Sequence, residues 1–279
     1  MTILIFTLLI WLMSVVVGFL GALTGLGGGA LIVPLLTLFF GVNIHYAMGA
    51  SLVSVIATSS GAAAAYLREG YTNLRLGMFL QVATTVGAVV GGFLVAHVST
   101  QFIGIVFGAM LLYSAYLSGR AQPEVRPLGT PHKHVERFKL SGNYPTPQGP
   151  QPYQVERVAG GFGVMFGAGV LSSLLGIGSG ALKVLGMDQV MRIPFKVSTT
   201  TSNFMIGVTA AAGAGLYLKH GYIEPRLTMP VMLGVLVGSM IGAKVLVHAP
   251  TRILRMVFAG IILIMGIEMI YYAVSGRIR

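Results

Sequence analysis

The chain has 279 residues, of which 55% are hydrophobic and only 9% charged, with a mean hydropathy of +0.84 and a formal net charge of +11. A soluble globular chain carries about 25% charged residues, so the polar surface needed to meet water is missing here. The positive balance does not point to nucleic acid, because the 18 Lys and Arg lie mostly between apolar stretches and form no basic run interleaved with aromatics.

The first apolar stretch, residues 2–23, lacks a positive n-region and exceeds a signal h-region of about 7–15 residues. It is expected to be a retained membrane segment. Further stretches follow at 30–42, 44–68, 74–96, 101–118, 157–175, 181–191, 195–218, 226–247 and 252–274. Most reach the roughly 20 helical residues that cross a hydrocarbon core. The stretches at 30–42 and 181–191 would rise only ~16–20 Å as helix, and each follows a glycine cluster. The 39 glycines suit closely packed membrane helices. With no cysteine, a disulfide framework, thiolate metal site or thiol chemistry is excluded.

The chain repeats itself. At an offset of 151 residues, 17–112 aligns with 168–263 without a gap, and 27 of 96 pairs are identical. Gly-Leu-Gly-Gly-Gly-Ala-Leu at 25–31 falls on Gly-Ile-Gly-Ser-Gly-Ala-Leu at 176–182, and Tyr66, Gly70, Tyr71 and Arg75 fall on Tyr217, Gly221, Tyr222 and Arg226. Between the copies, residues 120–156 hold seven of 12 prolines and three of seven acidic residues. They read as a soluble connection, mobile and partly extended. The expected division is a first membrane repeat at 1–119, a Pro-rich linker at 120–156 and a second repeat at 157–279.

Counting sides gives a topology. With ten stretches crossing or dipping in turn, 14 of the 18 cations fall on the linker side and 4 on the side of the termini. The positive-inside rule then makes the linker cytoplasmic and both termini external. Whether the short stretches span or re-enter, each repeat crosses an odd number of times, so the second is inverted. The expected fold is all-α and polytopic: two inverted repeats of about five hydrophobic segments, with glycine-broken short helices, as in many secondary transporters.

Both glycine clusters read G-x-G-x-x-A, but neither follows a strand or precedes a ribose-binding acid, so a dinucleotide site is set aside. The alternative is a helix break inside the bilayer, formed by Gly27, Gly28 and Gly29 in one copy and Gly178, Ser179 and Gly180 in the other. Such a break is tolerated at membrane depth only beside protein or water. It presents helix N-terminal amides, a site suited to anions, though a packing turn without ligand is the competing reading. Ser51, Ser54 and Thr58 share one helical face, and the second copy carries Ser198, Thr199, Thr200, Thr201, Ser202 and Asn203 in one run. These side chains can bind an anion without adding charge, or serve as interhelical glue. Lys183 stands where the first copy has Ile32, and is either an intramembrane functional cation or a snorkelling one. Glu268 reads as a snorkelled or paired structural group, with a proton relay as the competing reading. The histidines at stretch ends read as solvated, and Gly87/Gly91 and Gly238/Gly242 read as helix-packing pairs. No nucleophile–base pattern or H-E-x-x-H is present. No catalytic residues, metal ligands or cofactor are expected.

The paired motifs at 25–34 and 176–182, with the later Ser/Thr-rich segment, resemble the TauE/SafE sulfite exporter family, also called toluene sulfonate uptake permeases. The resemblance covers both membrane halves and not the linker. Ser179 replaces the central glycine in the second copy, and Pro34 has no counterpart. The resemblance implies transport of sulfite, organosulfonates or related sulfur-containing anions. The expected protein is therefore a multi-pass carrier of the plasma membrane, an exporter moving a small anion by alternating access. The anion site is expected among the two breaks, Ser51, Thr58, Lys183 and the run Thr200 to Asn203. An anion channel, an uptake permease for sulfonates or sulfate, and more remotely an intramembrane enzyme are the alternatives. Proton coupling and a homodimer remain open.

The topology has a direct check, since a chain without cysteine accepts single reporters cleanly. Ser141→Cys and Ser275→Cys are expected to react with an impermeant thiol reagent from opposite sides of the membrane. Labelling of both from one side would contradict the inversion.

Overall fold

The computed structural model of the protein describes residues 3–24, 28–68, 70–119, 140–146, 149–248 and 251–276. Five helices form the first half: α1 (Ile3–Thr24), α2 (Gly29–Pro34), α3 (Ile44–Arg68), α4 (Leu74–Leu94) and α5 (Thr100–Gly119). A two-stranded hairpin, β1 (Gly142–Tyr144) and β2 (Gln151–Tyr153), follows. The second half has α6 (Val158–Leu175), α7 (Gly180–Leu185), α8 (Phe195–Lys219), α9 (Pro225–His248) and α10 (Thr251–Val274). A π turn extends each short helix, Leu35–Phe39 after α2 and Gly186–Val190 after α7. The starts of α2, α3, α4 and α5 recur in α7, α8, α9 and α10 at the same 151-residue offset. This is an all-α polytopic membrane protein. Leu4–Ala22, Leu74–His97, Val158–Leu175 and Pro225–Val245 are long and apolar enough to cross a bilayer. At 25 residues each, α3 and α8 are also long enough at ~37 Å, with hydropathy lowered by their hydroxyl runs.

The short helices turn back. Phe6, near the start of α1, stacks edge-on against Phe40 just after the first π turn, at 5.5 Å. Glu156 N, just before α6, donates to Met191 O just after the second π turn at 3.1 Å. Each break is therefore the bend of a helical hairpin that returns to the face it entered from. The loops near residues 6, 42 and 224 share one face, and those near 73, 156 and 192 share the other.

Packing is reciprocal between the halves. Helix α1 lies on α9 and α6 on α4; α3 lies on α9 and α8 on α4; α3 meets α8, and α5 meets α10. The G-x-x-x-G pairs are the contact surfaces, as the sequence suggested. A Cβ on Gly87 or Gly91 would strike the carbonyls of Phe166 and Val170 in α6, and one on Gly238 or Gly242 the carbonyls of Val15 and Phe19 in α1. Backbone approaches this close are what small residues allow where lipid removes the hydrophobic drive for association. The apolar faces of α1, α4 and α9 that remain exposed, such as Leu4, Val82 and Met240, are the surface presented to lipid.

The linker differs from the sequence expectation in its second part. Leu140, Tyr153 and Val155 are buried in one cluster with Leu76, Leu80, Ile193 and Val197, so residues 140–146 and 149–156 are docked on the helical body. Two three-residue strands carry too short an alternation to register as strands in the sequence. Its Pro-rich stretch at 120–139 lies outside the described residues.

Gly87→Val and Gly238→Val are each expected to cost about 1–3 kcal/mol or more by overpacking. Gly167→Val, where a Cβ meets nothing within 4 Å, should be nearly neutral. Thermal midpoints of the three purified variants check this; a similar loss in all three would contradict it.

Candidate functional site

The two breaks are built alike and meet. The residue before each short helix has a left-handed backbone, Gly28 at φ +75° and Ser179 at φ +48°. Glycine bears this freely; for serine it is a strained conformation that the surroundings must hold. Ser51 Oγ donates to Gly29 O at 3.3 Å, and Ser202 Oγ donates to Gly180 O, also at 3.3 Å. These bonds are equivalent under the repeat. They tie the first residue of each short helix to the long helix that follows it. A Cβ on Gly29 would come within 2.7 Å of Ile177 O, so one break approaches the backbone of the other. Val55 lines both, since it also confronts Gly178, together with its repeat partner Ile206. Asn203 Nδ2 reaches Ala22 O, at the end of α1, at 3.4 Å. Gly27 lies outside the described residues.

A second locus lies one turn into α7. Lys183 is fully buried, with no exposed surface, and its Nζ donates to Thr209 Oγ1 of α8 at 2.6 Å. The snorkelling alternative is therefore not what the side chain does. Gln81 Nε2 of α4 donates to the same hydroxyl at 3.0 Å and to Thr85 Oγ1 at 2.8 Å, while Thr84 Oγ1 lies 3.3 Å from Thr209 Oγ1. An ammonium offers three donors. Among the described residues Thr209 is its one hydrogen-bond partner, and no carboxylate pairs with it. Burying an ion costs several kcal/mol when nothing opposes its charge. The locus is thus rich in donors and short of negative charge. The equivalent position in the first half is Ile32; Thr58 and Thr209 alike bond back to the carbonyl four residues earlier, at 3.0 Å each, and Thr209 in addition accepts from the lysine. The charge is on one side of the pseudo-symmetry only.

The remaining hydroxyls of the run divide. Thr200 Oγ1 bonds back to Lys196 O at 3.0 Å and Val197 O at 3.2 Å, an ordinary helix contact. Thr201 Oγ1 accepts from Asn73 N at 3.1 Å and so faces the hairpin side. Ser202 and Asn203 belong with the breaks. Among the described residues, three buried atoms of the run and the second break have no partner: Ser179 Oγ, Thr199 Oγ1 and Asn203 Oδ1. Such orphans are few in native structures and call for a ligand, water or strain to explain them.

Sequence reasoning passed over Gln81 and Thr84. A lone amide in an apolar span was the available signal for Gln81; Thr84 had none. It also passed over Asp188, buried in the second π turn and bonded by Gln189 Nε2 at 3.0 Å. Glu268 is half-buried, and His45 and His220 stack on Tyr222 at 4.8 and 5.8 Å.

Comparison with known proteins agrees with this architecture. The profile of the family described as Sulfite exporter TauE/SafE matches residues 10–269. The chain is 26% identical to the probable membrane transporter protein YunE of Bacillus subtilis, over 93% of this chain and 95% of that one. It is 29% identical to YjnA of the same organism, over 93% and 98%, and 24% identical to MJ0441 of Methanocaldococcus jannaschii, over 94% of each chain. Both bear the same description, probable membrane transporter protein. No solved structure matches.

Because the Ser51 and Ser202 bonds are equivalent, Ser51→Ala and Ser202→Ala are expected to destabilise by similar amounts, about 0.5–1.5 kcal/mol each. Denaturant or thermal unfolding of both variants measures this. A loss confined to one of them would mean that the two breaks are not held in the same way.

Proposed function

The chain belongs to the TauE/SafE sulfite exporter family, and from that premise we propose that it is a secondary transporter of sulfite, organosulfonates or related small sulfur-containing anions. That it is a membrane transporter follows from the family and from the relatives; the substrate, the export direction and the mechanism are our reading. The observation that carries it is Lys183, buried one turn beyond a helix break with no carboxylate partner among the described residues. A tetrahedral or pyramidal oxyanion would supply the missing charge and accept the donors that Thr209 leaves unused. At the neighbouring bend, the orphaned Ser179 Oγ and the second Nδ2 hydrogen of Asn203, whose first reaches Ala22 O, are further donors on the anion's path. Because these groups are neutral, the anion can be bound and released.

Alternating access is favoured by the construction. Two hairpins enter from opposite faces and meet at their bends, and the contacts of one half recur in the other. Rocking one hairpin and its partner helices against the rest would expose the bend region to either face in turn. With the linker cytoplasmic, as the charge distribution implies, Lys183 sits on the hairpin that enters from the cytoplasm. Asp188, buried on the same hairpin, is the group through which protons would couple if coupling occurs.

The test is uptake into proteoliposomes of labelled sulfite, sulfoacetate and sulfate, with and without a proton gradient, by the parent and by Lys183→Met. Loss of a charged hydrogen bond to the anion should lower apparent affinity about ten- to a hundredfold. Thermal stability should hold or rise, because an unopposed charge leaves an apolar interior. Parental transport in Lys183→Met, or a collapse of stability with it, would make the lysine structural. Counterflow identifies a carrier, and unitary currents a channel.

A further inference from the structure

The two faces of the molecule are not in the same state. On the face of the 42 and 224 loops lies a cavity of about 450 Å³, lined by Thr7, Val42, Tyr46, Glu224, Arg226 and Leu227 among others. The 151-residue offset carries five of these positions, Val42, Tyr46, Glu224, Arg226 and Leu227, onto Ile193, Val197, Asn73, Arg75 and Leu76 on the opposite face. There the space is filled. Ile193, Val197 and Leu76 are fully buried, and the side chains packed over them are Leu140, Tyr153 and Val155 of the linker hairpin.

One residue ties the hairpin down. Asn73 uses both Nδ2 hydrogens on it, donating to Leu140 O and to Tyr153 OH, each at 2.7 Å. Its Oδ1 meanwhile caps α4 by accepting from Leu76 N at 3.0 Å, and its backbone N donates to Thr201 Oγ1 at 3.1 Å. Burial pushes the Tyr153 hydroxyl up to about 12 despite the opposing Asn73 bond, so it stays a neutral partner at any physiological pH. A second tie is the ion pair of Arg192 with Glu156 at 3.4 Å. Asn73 thus joins the hairpin directly to the hydroxyl run of α8.

We propose that the linker hairpin is a plug seated in the mouth that is symmetry-equivalent to the open cavity, with Asn73 as its latch, so that the transporter opens toward the linker face only when the hairpin lifts. In the state described here the other mouth holds a cavity and this one is filled. Lifting the plug breaks the two Nδ2 bonds and uncovers Leu76, Ile193 and Val197, and the Asn73–Thr201 contact lets a change in α8 loosen the latch. This rests on the transporter reading above, but its test needs no substrate.

Val197→Cys is a near-isosteric reporter beneath the plug, and Val42→Cys reports on the open cavity. Each is combined with Asn73→Ser, which keeps a capping oxygen for α4 but loses both donors to the hairpin, and separately with Tyr153→Phe. Rates of modification by a hydrophilic maleimide are measured on purified, monodisperse protein. The plug predicts that Tyr153→Phe, which loses one hydrogen bond, speeds modification at position 197 by about two- to tenfold and that Asn73→Ser, which loses two, speeds it more, with position 42 unchanged. No acceleration at 197, or equal acceleration at both positions, overturns it. A parent protein that transports none of the tested anions would overturn the transporter reading and leave the labelling result standing.

Discussion

A helix that breaks inside a bilayer uncovers backbone groups that no water can satisfy, and the architecture of this protein follows from meeting that demand twice. The breaks are placed where they can supply each other with contacts. Gly29 comes against the backbone of Ile177, Val55 touches both bends, and the Ser51 and Ser202 hydroxyls hold the opening carbonyl of each short helix. Close approach then dictates the rest: glycine-lined faces on α4 and α9 bring α6 and α1 near enough to close the bends in.

Against that near-symmetry, the departures carry the chemistry. Where the first half has Gly28 and Ile32, the second has Ser179 in the same left-handed conformation and Lys183 in the same register. A strained serine with an unpartnered hydroxyl and a cation without a carboxylate are both unfavourable in isolation. Their placement within one turn of each other, at the bend, is what makes an anion the economical explanation of both. The hairpin is the third departure. It covers one mouth of the molecule and leaves the equivalent mouth an open cavity.

Much of this was legible in the residues alone because membrane helices are written plainly. Apolar length marked the spans, the glycine clusters marked the breaks, and the ungapped repeat sets Ser51 opposite Ser202, whose bonds are equivalent in the fold. What stayed hidden depends on contacts far apart in sequence. Gln81 and Thr84 gain meaning only when α4 lies beside α8 and brings them to Thr209. Asn73 looks like a turn residue until the hairpin lands on it. Thr200 and Thr201 fell within a run that reads as one constellation, yet helical geometry turns them away from the bends that Ser202 and Asn203 face. The docked hairpin escaped notice because prolines and short strands look the same in a packed segment and a loose one.

The account turns on an anion sitting at the second bend against Lys183. Selenite, the heavier analogue of sulfite, makes that visible, since selenium in crystals of the complex can be located by its anomalous scattering. The account predicts a selenium peak at the second break, with an oxygen about 3 Å from Lys183 Nζ. The peak should vanish in Lys183→Met crystals grown alike. Selenium found only at surface arginines, with Lys183 Nζ still turned to Thr209 alone, would contradict it.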